Sequence, residues 1–169
     1  MNTGGDQASK GAGTGASWVR AVADEAAVSA LAGTFSQHVR TPLVVFLSGD
    51  LGAGKTTFAR AFLRALGYPG YVKSPSYGLL ESYHAGGIAV LHLDLYRIED
   101  PEELDYLAIR DLYDAETVLL VEWPEKGIHH LPPPDLELRF EEVNEVHVIS
   151  CFAKSTAGIA ISNAILQDF

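Results

Sequence analysis

An α/β protein with a mainly parallel sheet flanked by helices is what the sequence predicts, and three observations predict it. Residues 43–47 and 117–123 are apolar runs of the kind strands show when both faces are covered. The first is followed directly by a Gly-rich stretch and an amphipathic helical pattern, the order strand, loop, helix. Two pairs of strand-like segments, 79–83 with 88–96 and 135–140 with 145–152, add an antiparallel hairpin and an antiparallel C-terminal pair. The length of 169 residues, 47% apolar and 20% charged, suits one packed core. Residues 1–16 are small and polar and are expected to form a disordered tail, leaving 17–169 as a single domain.

Each element has a local reason. Residues 18–22 read as a short strand, and Asp24 is a suitable N-cap for a helix through Val28, Leu31 and Phe35, ended by Thr41-Pro42. The helix after the Gly loop carries Phe58, Ala59, Phe62, Leu63 and Leu66 at helical spacing, with Gly67 in the C-terminal stop position. Residues 84–87, His-Ala-Gly-Gly, separate the two hairpin segments. Asp100-Pro101-Glu102-Glu103 predicts a helix start, with Asp as cap, Pro in the first turn and Glu reaching back. Pro132 to Pro134 punctuate, and 158–166 read as a terminal helix. The lone Cys151 reads as a small buried hydrophobe.

Gly49-Asp50-Leu51-Gly52-Ala53-Gly54-Lys55-Thr56 matches the phosphate-binding loop pattern GxxxxGK followed by Ser or Thr. Glycines let the backbone curl so that successive N–H groups point at phosphates, Lys55 neutralises the β and γ oxygens, and the Thr56 hydroxyl ligates Mg²⁺. The flanking strand and helix are the context this mechanism requires. Such a loop needs a carboxylate at the end of a neighbouring strand, and Glu122 supplies it; the plainer alternative is a capping or surface residue. In 92–97, alternation puts His92, Asp94 and Tyr96 on one face and Leu91, Leu93 and Leu95 on the other, which suggests a site or else a solvated sheet face. Ser74-Pro75-Ser76-Tyr77 follows the loop helix, where nucleotide switches place a hydroxyl that senses the γ-phosphate.

Taken in this order, with Asp100 to Leu104 and Val121-Glu122-Trp123-Pro124-Glu125, these segments closely resemble the TsaE (YjeE) family of bacterial P-loop ATPases. The resemblance runs from about Trp18 onward and is strongest between Gly49 and Gly127. It implies an ATPase that acts with TsaD and TsaB in making N6-threonylcarbamoyladenosine at position 37 of tRNA, resetting the complex while TsaD performs the modification. By matched motif it implies a nucleotide site of 49–57 with Ser76 and Trp123, catalytic roles for Lys55, Asp94 and Glu122, and Mg²⁺ ligation by Thr56, Glu122 and Asp94. Ser76 stands where the family has Thr, and Gly78 replaces a second hydroxyl. Val28 replaces a Thr near the base, and the tip near Asn144 lacks the family's Gly-Arg.

Charge is divided unevenly along the chain. Residues 1–97 hold 6 acids and 8 bases, and residues 98–169 hold 16 acids and 4 bases, within a net charge of -10. Direct DNA or RNA capture is therefore not expected, so tRNA is reached through partners, and a basic protein surface is the better match for the acidic half. No apolar run approaches the roughly 18 residues of a membrane span, and a cytoplasmic location is expected. Two other readings remain open at this stage. A small P-loop kinase shares the loop and sheet but needs an Arg-bearing lid, for which only Arg110 and Arg139 follow Arg97. A nucleotide-gated interaction module would dock, with hydrolysis incidental.

Overall fold

The computed structural model describes residues 17–75 and 78–169, so the expected N-terminal tail lies outside the described residues. Among the described residues seven strands form one sheet in the order β1-β7-β6-β2-β5-β4-β3. They are β1 (Trp18–Ala21), β2 (Leu43–Gly49), β3 (Leu80–Ala85), β4 (Ile88–Asp94), β5 (Thr117–Glu122), β6 (Leu136–Val143) and β7 (Val146–Ala153). The central four, β6, β2, β5 and β4, are parallel to one another; β3 and β7 join their two sides antiparallel, and β1 pairs antiparallel with β7 at the edge. This is the mainly parallel sheet with a hairpin and a C-terminal antiparallel pair that the alternation predicts.

Among the described residues five α-helices cover it: α1 (Glu25–His38), α2 (Lys55–Ala65), α3 (Glu103–Tyr106), α4 (Ile109–Leu112) and α5 (Thr156–Leu166). The period of two in the strands sorts the core into two layers. Leu43, Val45 and Leu47 of β2 and Val118 and Leu120 of β5 pack with Leu31, Phe35, Phe58 and Phe62 of α1 and α2. Val44 and Phe46 of β2 and Leu119 and Val121 of β5 face the other way, onto Leu104 and Ile109 of α3 and α4. Phe35 makes edge contacts with Phe58 and Phe62, ring centroids 5.6 and 5.8 Å apart, which joins α1 to α2.

Element ends have visible causes. Asp24 caps α1 by accepting the Ala27 N–H, as expected, and Ser155 caps α5 through Gly158. The β3–β4 turn is tighter than predicted: β3 continues through His84 and Ala85, and only Gly86 and Gly87 turn, both at positive φ. β4 stops at Asp94, short of Tyr96, because the Asp94 carboxylate takes the Tyr96 N–H at 3.0 Å. β5 stops at Glu122 because Trp123 adopts a left-handed conformation, φ 56. Asp100 accepts the Glu102 N–H and Glu103 accepts the Asp100 N–H, but these bonds close a turn ahead of the helix, whose N-cap is Glu102 and not the expected Asp100. That helix is only one turn, since Ala108 breaks it at φ 50. Cys151 is buried, and burial pushes its thiol up to about 12.

Candidate functional site

The parity of the strands decides which polar side chains meet. Val118 and Leu120 face α2, so Glu122, two residues on, faces α2 as well. On the neighbouring strand Val90 faces the same way, and with it His92 and Asp94; Asp94 is in direct register with Glu122. These carboxylates therefore stand side by side at the C-terminal ends of parallel strands, beside the β2–α2 loop. In open α/β sheets that edge is where ligands bind. Lys55, His92, Asp94 and Glu122 are all buried, and buried charges require partners.

The loop supplies some of them. Gly54 precedes α2 in a left-handed conformation, φ 109, which lets the chain enter the helix with no side-chain cap on its first N–H groups. Such a terminus is suited to an anion. Lys55 donates from Nζ to the carbonyls of Gly49 and Asp50 at 2.6 and 2.7 Å and lies 4.3 Å from the Trp123 ring centroid. Burial lowers the Lys55 pKa below its ordinary value, opposed in part by Glu122, Asp94, Glu125 and Asp50. Thr56 donates its hydroxyl to Glu122, with both carboxylate oxygens at 3.0 Å. His92 Nε2 stands 2.8 Å from Glu122 Oε1.

A cleft of about 630 Å³ opens over this cluster. Of the residues expected at the site, the structure brings together Leu51 to Thr57, Asp94, Glu122 and Trp123. Gly49 and Asp50 are not on its wall; they act through their carbonyls on Lys55. Ser76 lies outside the described residues, although Ser74 reaches the wall. Arg97, His147 and residues 22–25 also line the cleft and were not expected there as site residues. The signal for Arg97 was its place in the 92–97 motif, whereas His147 comes from β7 and gave none. Val28, the departure from the family pattern, lies at the same end.

Comparison with known proteins gives the family of the chain. The family model for "Threonylcarbamoyl adenosine biosynthesis protein TsaE" matches residues 22–148, which spans the loop, both carboxylate strands and β7 up to Val148. The chain belongs to the TsaE family. A TsaE relative from Haemophilus influenzae, named tRNA threonylcarbamoyladenosine biosynthesis protein TsaE, is 41% identical over 127 residues, 75% of this chain and 80% of the relative. A TsaE of the same name from Rickettsia felis is 35% identical over 116 residues, 68% of this chain and 67% of its own length. The crystal structure of YdiB from Bacillus subtilis superimposes with a TM-score of 0.71 over 89% of this chain and 95% of that one, at 22% identity, which shows a shared fold. Among the described residues no helix is long and apolar enough to cross a membrane.

Proposed function

We propose that this TsaE-family chain binds and hydrolyses ATP with Mg²⁺ in the biosynthesis of N6-threonylcarbamoyladenosine at position 37 of tRNA. It does so in the cytoplasm, with TsaD and TsaB homologues as partners, and meets tRNA only through them. The name shared by the relatives supports the tRNA branch of this reading. One observation carries the ATP branch: the hydroxyl of Thr56, the residue after the loop lysine, is bonded to the strand-end carboxylate of Glu122.

These donors suit Mg²⁺. A hydroxyl and a carboxylate are hard oxygen ligands, and Asp94 adds a second carboxylate in register with Glu122. Among the described residues no group of three or more His, Cys, Asp or Glu forms a metal cage. Mg²⁺ does not ask for one, since it takes one or two protein carboxylates together with substrate phosphates. When bound, the ion neutralises charge on the phosphate oxygens. Lys55 then holds the β and γ oxygens with its ammonium, the free N–H groups at the start of α2 receive the phosphates, and the Trp123 ring walls the site. Asp94 and Glu122 are buried on the wall of the cleft, where low dielectric strengthens every interaction.

The kinase reading loses support because Arg139 is tied to Glu137 at 2.8 Å and is not on the cleft wall. The test is phosphate release and nucleotide affinity of the purified chain, with and without TsaB and TsaD. Turnover that rises when both partners are present supports the proposal. Nucleotide binding without turnover under either condition favours the gated interaction module.

A further inference from the structure

His92 has no role in the reading given above, and its surroundings are unusual. It is buried on β4, 0% exposed, and Nε2 lies 2.8 Å from Glu122 Oε1. Its other ring nitrogen, Nδ1, is equally shut off from solvent and has no hydrogen-bond partner. Glu81 is the residue in register with His92 across β3, yet it does not reach Nδ1. A ring nitrogen facing a carboxylate oxygen at this distance must carry the proton, and a proton on Nδ1 would be a buried donor with nothing to accept it. A proton on Nε2 makes the bond to Glu122 and leaves on Nδ1 only an unfilled acceptor, which costs less than an unpaired buried donor.

Glu122 is consequently held from two sides. His92 donates to Oε1 from β4, and Thr56 donates from α2 with both oxygens in reach. His92 is diagonal to Glu122 across the β4–β5 pair, because its own register partner is Leu120. The sheet thus fixes the distance between ring and carboxylate. Without the ring, the carboxylate could rotate about its side-chain bonds, and an ion site built on it would be poorly formed.

We propose that His92 is a positioning residue whose Nε2–H sets the orientation of the Glu122 carboxylate toward Thr56 and the cleft. The inference rests on the reading of Thr56 and Glu122 as the Mg²⁺ end of an ATP site. Two variants separate a positioning role from a packing one. His92→Gln keeps an N–H near the position of Nε2, and His92→Leu keeps bulk without a donor. In calorimetric titrations of Mg²⁺ onto the chain with bound ADP, His92→Leu should weaken Mg²⁺ about 10-fold while ADP affinity without Mg²⁺ stays unchanged. His92→Gln should recover most of the loss. Nitrogen NMR of histidine-labelled wild type should show the Nε2–H tautomer for this ring, with its signals displaced in Glu122→Gln. That spectrum tests the bond without nucleotide, so a wild-type chain that binds no nucleotide defeats the ATP reading while leaving the bond itself measurable. An Nδ1–H tautomer overturns the inference, as does a His92→Leu variant that binds Mg²⁺ like wild type. Equal loss of ADP affinity with and without Mg²⁺ also overturns it, because His92 is then only part of the core.

Discussion

Glu122 accepts the Thr56 hydroxyl and the His92 ring, so exchanging it for Gln removes charge while nearly preserving shape. Glu122→Gln should keep the fold and bind nucleotide, and phosphate release should fall by roughly 10²-fold. A circular dichroism melt beside the turnover assay checks this, and a variant that no longer folds would make Glu122 structural. Glu137 offers a second test at this scale, away from the cleft. Burial alone would raise its pKa, but the bond and charge of Arg139, the Ser48 hydroxyl and Lys154 prevail and hold it below the ordinary 4.5. A depressed carboxyl contributes stability that is present above 4.5 and lost as pH falls through the folded value. Urea unfolding from about pH 6 down to about pH 3 should therefore show a smaller loss of stability in Glu137→Gln than in wild type. Equal slopes would mean that the ionic cluster contributes nothing.

At the scale of elements, two joints hold the loop in place. The end of β2 is pressed against β6: a Cβ built on Gly49, φ 140, would lie 2.3 Å from the Phe140 carbonyl oxygen, a backbone atom that cannot step aside. Gly49→Ala should cost about 1–3 kcal/mol of stability and weaken nucleotide binding with it, measured by denaturant unfolding and calorimetry. A neutral Gly49→Ala would show that this close approach is not needed. The start of β2 is tied by Asp135, which accepts the Val44 N–H at 2.8 Å and the Ser155 hydroxyl at 2.6 Å, linking β2, β6 and α5. The loop itself was legible in the sequence because its pattern is contiguous, and Glu122 and Asp94 because each ends or stripes an apolar strand. Their register was not, since nothing in either segment states which residue pairs with which. The cleft's far wall was equally hidden: Val22, Ala23 and His147 meet only because β1 pairs with β7 at the opposite edge of the sheet. Turns moved by a residue or two where a side chain or a left-handed residue intervened, as at Asp94 and Trp123.

Across the whole molecule, charge is as uneven as the sequence indicates. Residues 98–125 carry ten acids against Arg110, and most lie exposed on α3, α4 and their connections. Some of these acids have local tasks: Glu103 reaches back to Asp100, and Asp105 bonds His130 at 3.0 Å. Glu99, Glu102 and Asp111 are the cleaner probes of docking. If the proposed TsaD and TsaB partners present a basic surface here, Glu99→Lys, Glu102→Lys and Asp111→Lys together should slow association and flatten its salt dependence, leaving ADP affinity unchanged. Wild-type association at both low and high salt would reduce the segment to a solvated face.

The central claim is that the cleft over Lys55, Thr56, Asp94 and Glu122 is an ATP site, and Lys55 is its most direct test. Lys55 is the cation bonded to the loop carbonyls at the start of α2, and the claim requires its charge to be spent on the β and γ phosphates. Calorimetric titration of MgATP onto wild type and Lys55→Ala, with turnover measured on the same samples, decides the matter. Saturable binding by wild type, with affinity and turnover reduced by about 10²-fold or more in a folded Lys55→Ala, is the predicted result. Equal binding and turnover in the two proteins would contradict it.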